Sequence, residues 1–238
     1  MEISVGTILL EGGAEFGGRM AEPDRRAIEL AGGLSAPIRI IPAAAAPDNN
    51  HQRAGENGRR WFASLGAQDV AVVPLIDRRT ADLPEVVAEL RRARLVFMLG
   101  GFPGHLATSL AGSASWQALL EVLEANGVVG GSSAGAMVLC EHLYDPYQGQ
   151  ITSGLGLLRN ALILPHHNTV GAGWAQQLGT SLPGATLIGI DERTGMINNG
   201  ENGGWRVYGQ GAVTIYQSGN KRTFGAGHGF PLDGSLFA

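Results

Sequence analysis

Short apolar runs recur through the first half of the chain, each closed by a glycine pair or a proline. Val5–Leu10 leads to Gly12-Gly13, Ile38–Ile41 to Pro42, Val70–Val73 to Pro74, Leu95–Leu99 to Gly100-Gly101, and Val128-Val129 to Gly130-Gly131. Brief runs that are apolar at consecutive positions suit strands buried on both faces of a parallel sheet. Between them the spacing turns helical. Pro84–Arg92 puts Val86, Val87 and Leu90 on one side with charges opposite, and Trp116–Leu123 repeats the stripe with Trp116, Leu119, Leu120 and Leu123. Ala54–Leu65 carries Trp61, Phe62 and Leu65 beside Arg53, Glu56 and Arg59. Strands and helices alternating in this way predict an α/β fold of three layers, doubly wound, with a mostly parallel sheet and helices on both faces. Ligands of such a fold sit outside the carboxyl ends of the strands.

After Ser153 the rhythm changes. Ala161–Leu164 and Thr186–Ile190 read as strands and Trp174–Leu182 as a helix. Trp205–Tyr208 and Ala212–Tyr216 read as a closing pair joined by Gly209-Gln210-Gly211, which adds late antiparallel strands. No linker, repeat or low-complexity tract divides the sequence, so residues 1–238 are expected to form a single domain.

Composition narrows the classes. Hydrophobic residues make up 44% and charged residues 16%, enough apolar material for a large core and too little charge for an extended disordered chain. A net charge of -4 offers no general attraction to a polyanion, so nucleic acid is not an expected partner. The lone cysteine, Cys140, excludes an intrachain disulfide and suits a reducing compartment. MEISVGTILLEGG has no basic leader and reads as a first strand, and no apolar stretch approaches the roughly 18 residues of a spanning helix. A cytoplasmic location without membrane contact is therefore expected.

The chemistry concentrates at Gly130–Leu139, GGSSAGAMVL, where Gly131, Ser133 and Gly135 stand in a G-x-S-x-G register. A strand precedes it and the helix-compatible AGAMVLCEHL follows, the context in which this motif lifts a serine off a tight turn. Ser132 occupies the variable position. The helix start offers the Ala134 N–H to an oxyanion, and Gly101, ending the neighbouring strand, offers a second N–H. A serine at this place equally suits an N-cap, and the local pattern leaves nucleophile and cap open.

A serine needs a base. Leu164-Pro165-His166-His167-Asn168 places two histidines at a strand end, with His166 preferred and His167 or Asn168 orienting it or touching substrate. The base in turn needs an acceptor. Gly189-Ile190-Asp191-Glu192 ends another strand and offers Glu192 first and Asp191 as alternate, with Asp145 more distant; a plain solvated turn remains open for this segment. His105, near the second N–H donor, is a substrate-binding candidate. Cys140 reads as a small buried apolar residue. Neither a Zn-type His/Cys spacing, a G-x-G-x-x-G nor a P-loop lysine occurs, so no metal or cofactor is expected.

With these residues in hand, the chain resembles the S51 serine peptidases, the family of cyanophycinase and aspartyl dipeptidase (peptidase E). GGAEF at 12–16, MLGGFPGHL at 98–106, GGSSAGAMV at 130–138, SGLGLL at 153–158, LPHHN at 164–168 and GIDERTG at 189–195 occur in the family's order. The resemblance implies a fold similar to class I glutamine amidotransferases. It implies a nucleophile at Ser133, a base at His166, its partner at Glu192, and oxyanion donors at Gly101 and Ala134. The implied substrate is a small peptide or amide, with a homodimer as one arrangement of the chain. Two departures bear on specificity. Phe102-Pro103 stands where family members commonly have a glutamine, which makes Phe102 a substrate-binding candidate of its own. No arginine occurs from Asn168 to Gln177, which removes the obvious reason to prefer an aspartyl substrate. An acyl hydrolase or transferase of another kind, and an inactive metabolite-binding member, are the alternatives.

Overall fold

The computed structural model describes residues 6–200 and 204–232; Val5, at the start of the first expected strand, lies outside the described residues. In chain order the strands are β1 (Thr7–Glu11), β2 (Ile38–Ile41), β3 (Val70–Val72), β4 (Leu95–Met98), β5 (Val128–Ser132), β6 (His142–Asp145), β7 (Gln150–Ser153), β8 (Ala161–Leu164), β9 (Thr186–Ile190), β10 (Thr194–Ile197), β11 (Trp205–Gly209), β12 (Ala212–Gln217), β13 (Asn220–Gly225) and β14 (Gly229–Phe230). The helices are α1 (Ala21–Leu30), α2 (His51–Ser64), α3 (Pro84–Arg91), α4 (Pro103–Leu110), α5 (Ala114–Glu124), α6 (Ala134–Met137) and α7 (Ala175–Ser181).

Among the described residues an eight-stranded sheet runs β14-β11-β10-β1-β5-β4-β2-β3. Its β1, β5, β4, β2 and β3 pair in parallel, and β10, β11 and β14 add on antiparallel. The period-two pleat sends alternate residues to opposite faces, and both faces are apolar. Leu9, Ile38, Ile40, Leu95, Phe97 and Val128 meet Ala27 and Ile28 of α1 and Phe62 of α2. Ile8, Leu10, Ile41, Val96, Met98 and Val129 meet α3, α4 and α5 through Val86, Leu90, Leu106, Leu119 and Val122. Full burial of each such side chain is worth about 1.5–3 kcal/mol, so consecutive apolar positions with no polar face leave few alternatives to a covered sheet.

The late strands depart from expectation. Trp205–Gly209 and Ala212–Gln217 do not pair with each other. β11 lies in the large sheet, whereas β12 belongs to a four-stranded sheet, β13-β12-β9-β8, in which β8 and β9 are parallel. Gly209-Gln210-Gly211 is a crossover between sheets. Gly211 N–H donates to Thr194 Oγ1 at 2.9 Å and Ala212 N–H to Asp191 Oδ2 at 2.9 Å, bonds that direct the chain away from β11. A second correction concerns AGAMVLCEHL, which is helical for one turn only. Val138 N–H still donates to Ala134 O, the Leu139 and Cys140 N–H groups tighten to i−3 carbonyls, and the segment then pairs with a distant one. Leu155 N–H donates to Val138 O, Leu158 N–H to Leu139 O, and Glu141 N–H to Leu158 O. Cys140 is buried, and burial pushes its thiol pKa up, so it stays protonated and inert.

Candidate active site

Strand β5 delivers Ser133 to the carboxyl edge of the large sheet. The residue adopts φ 49° and ψ -112°, a sparsely populated conformation for a residue with a Cβ, costing on the order of 1–3 kcal/mol. Two things hold it there. Ser133 N–H donates to Glu11 O of β1 at 3.0 Å. Gly135, two residues on, lies against the Met98 carbonyl so closely that any Cβ would collide with it. The Ser133 side chain makes no capping bond to α6. Its Oγ lies instead 3.0 Å from His166 Nε2, and His166 Nδ1 is 2.9 Å from Glu192 Oε1. An ionised carboxylate only accepts, so the Nδ1–H donates to Glu192 and Nε2 is left to accept from the serine hydroxyl.

The structure thus brings Ser133, His166 and Glu192 into one hydrogen-bonded line. It does so by a route the sequence reading did not foresee, for β8 is no neighbour of β5 in a common sheet. The loop after β1 spans the gap. Glu11 O accepts from Ser133, Gly12 O from His166 N–H at 2.7 Å, and Gly13 O from Arg193 N–H at 2.9 Å. Three consecutive carbonyls hold the three segments that supply the side chains. Gly13 has φ +114°, and a Cβ on it would strike the His166 imidazole. Asn168 Oδ1 accepts the Glu192 N–H at 2.9 Å and so fixes the carboxylate's own backbone.

The remaining candidates divide by placement. Gly101 adopts φ +140° at the end of β4, and the adjoining Gly100 packs so near that a Cβ there would lie 3.4 Å from Ser133 Cβ. Ala134 opens α6, where an N–H has no acceptor within its own helix. Phe102 enters α4 and stacks on Tyr147. His167 and Asp191 face each other at 3.4 Å and are tied to the four-stranded sheet, His167 Nε2 to Tyr216 OH at 2.9 Å and Asp191 Oδ2 to the Ala212 N–H. His105 Nε2 binds the Ile76 carbonyl at 2.7 Å. Asp145 is buried and accepts the Tyr147 N–H at 2.9 Å, away from the histidine.

Reasoning from sequence missed Glu15. Its carboxylate accepts from Ser132 Oγ at 2.9 Å, and it lines a cleft of about 560 Å³ that also borders Gly100, Gly101, Asp48 and Arg53. The signal was the glutamate inside GGAEF, a segment that carries part of the family resemblance but whose glutamate was given no role. Among the described residues no three His, Cys, Asp or Glu side chains stand together in a metal-holding group, and no helix is long and apolar enough to cross a membrane.

Beneath the serine turn lie two buried acids, Glu11 and Asp24. Burial first, and then the charge of Asp24, raises the Glu11 pKa well above the usual carboxylate range. Burial likewise pushes Asp24 up to about 7, although the Trp61 indole donates to its Oδ2 at 2.7 Å. The folded protein therefore holds protons here that the unfolded chain releases near pH 4. The contribution of this pair to stability is full below that pH and is lost as pH rises towards 7. Urea denaturation at pH 4.5 and 7.5 checks this: Asp24→Asn is expected to flatten the difference, and an unchanged difference would dismiss the pair as its source.

Comparison with known proteins follows the same outline. The model of peptidase family S51 matches residues 8–203. The chain belongs to peptidase family S51. A cyanophycinase of Synechococcus elongatus is 31% identical to this S51 chain over 222 residues, covering 88% of the chain and 67% of the relative. A cyanophycinase of Nostoc sp. is 29% identical over 222 residues, covering 87% and 72%. The crystal structure of a peptidase from an acI-B1 actinobacterium superposes with a TM-score of 0.84 at 29% identity, over 96% of this chain and 97% of that one. A Listeria monocytogenes protein assigned to peptidase E shares the fold, with a TM-score of 0.60 at 18% identity over 92% of this chain and 98% of its own. Family membership and relatives together support a hydrolase of the peptidase class.

Proposed function

We propose that this S51 chain is a serine hydrolase that cleaves an amide bond in a small peptide through an acyl-enzyme, acting as a single catalytic unit. The observation that carries the reading is the unbroken line from Ser133 Oγ through His166 to Glu192 at hydrogen-bond distances, on a serine held in a strained turn. His166 Nε2 takes the hydroxyl proton as Oγ attacks the carbonyl carbon. The N–H groups of Gly101 and Ala134 receive the oxyanion. The C–N bond then breaks as His166 returns the proton to the leaving amine. Water, deprotonated by the same imidazole, releases the acyl group and restores the serine. Glu192 keeps the ring in the tautomer that can accept at Nε2 and stabilises the imidazolium.

An alkyl fluorophosphonate provides the direct test. It is expected to modify Ser133 alone in the folded protein, with peptide hydrolysis lost in proportion to labelling, followed by intact-mass and peptide-mapping spectrometry. Amide hydrolysis that persists after full modification of Ser133 would remove the serine from the mechanism. Absence of any labelling in folded protein would favour a non-catalytic, metabolite-binding member.

A further inference from the structure

Tyr147 is 62% exposed, on the turn between β6 and β7, yet it is held firmly. Its N–H donates to Asp145 Oδ1, Gly149 N–H donates to Asp145 O at 2.8 Å, and its ring stacks on Phe102 with centroids 4.2 Å apart and planes at 20°. Phe102 is fixed as well, for its N–H donates to Ala44 O at 2.8 Å and Pro103 follows it into α4. It directly follows Gly101. The buried Asp145 abuts Gly104 in the first turn of α4, so one carboxylate braces both aromatic residues. In the same hairpin, next to Asp145, Tyr144 packs on Trp174 at 5.1 Å, in the segment that follows His166. The hairpin therefore ties the bank of Gly101 to the bank of His166. Within the two segments themselves no Asp, Glu, Lys or Arg occurs from Leu95 to Leu120 or from Ala161 to Ile190; the charges near Gly101 come from Glu15, Asp48, Arg53 and Asp145.

We propose that the Phe102–Tyr147 stack is the side-chain shelf of the site, selecting peptides with a large apolar, above all aromatic, residue next to the scissile amide. The assignment rests on the hydrolase reading for its cleavage and on the stack itself for its binding. A rigid aromatic pair beside an oxyanion donor offers contact area at little entropic cost. The two segments that flank it bring no charged side chain of their own to pair with an acidic or basic substrate residue.

The test uses short peptides differing only in Phe, Leu, Ala, Asp or Arg on either side of the cleaved bond. Wild-type kcat/KM is expected to favour Phe over Ala and Asp by at least about tenfold at one of the two positions. Tyr147→Ala is expected to collapse that ratio, chiefly through KM, and Tyr147→Phe to keep it. Phe102→Gln is expected to weaken the Phe preference. Calorimetric binding of the same peptides to Ser133→Ala reads the shelf without chemistry and should show the same order. Fluorophosphonate labelling of wild type reports the mechanism separately. Labelling with no aromatic preference, or a preference that survives Tyr147→Ala, overturns the shelf and leaves the hydrolase. Aromatic preference in binding with no labelling keeps the shelf and overturns the hydrolase.

Discussion

Replacing Ser133 with alanine is expected to lower kcat by about 10⁴–10⁶-fold while leaving the fold intact. The size of the loss follows from the site's construction. His166 Nε2 and Glu192 are arranged around one hydroxyl, and without it the base has no proton to take and the acyl group no oxygen to join. Stability should respond in the opposite direction from activity. Ser133 sits at φ 49° and ψ -112°, so Ser133→Gly, which carries no Cβ, should raise the unfolding free energy by about 1–2 kcal/mol while also abolishing turnover. Single-turnover kinetics and urea denaturation of both variants check the pair of expectations. Turnover near the wild-type rate in Ser133→Ala would show that bond cleavage uses another group.

Gly13→Ala carries the second large effect, and it acts without touching the hydroxyl. Two penalties coincide at this residue. Its φ of +114° disfavours any L side chain by about 1–3 kcal/mol, and the added methyl would occupy the space of the His166 imidazole. The ring can yield only by leaving Ser133 or Glu192, because Gly12 O holds its backbone from the same loop. A displacement near 1 Å of a reacting group costs about 10²-fold in rate. Gly13→Ala is therefore expected to lose at least that factor in kcat and to unfold at lower urea. The decisive comparison is fluorophosphonate reactivity, which should fall with kcat because the base is misplaced. A variant that is destabilised but labels at the wild-type rate would limit Gly13 to a folding role.

Legibility of the site varied with the range of the interaction. The Ser133 turn could be read because its requirements are local: a buried strand before it, small residues around it and a helix start after it fall within ten residues. His166 and Glu192 were legible as residues at strand ends and preferred there over His167 and Asp191, and the family's motif order agreed. Their neighbours explain that choice only in three dimensions. His167 is engaged by Tyr216 and Asp191 by the start of β12, contacts 49 and 21 residues away in sequence. The one-turn length of α6 was hidden for a related reason. AGAMVLCEHL satisfies helical preferences, but residues 154–158 offer its backbone better partners.

By itself the sequence determined the parallel core of β1, β5, β4, β2 and β3, because apolar residues at consecutive strand positions can be covered only by helices on both faces. It also determined the chemistry available at the carboxyl edge of that core, since a hydroxyl, an imidazole and a carboxylate each follow an apolar run. Tertiary structure alone decided how they meet. The late strands divide between two sheets, and Glu11, Gly12 and Gly13 lend their carbonyls to segments 122, 154 and 180 residues further along the chain. Every peptide offers the same carbonyl whatever its side chain, so bonds of this kind leave no trace in residue type except at the glycine that must make room for the ring.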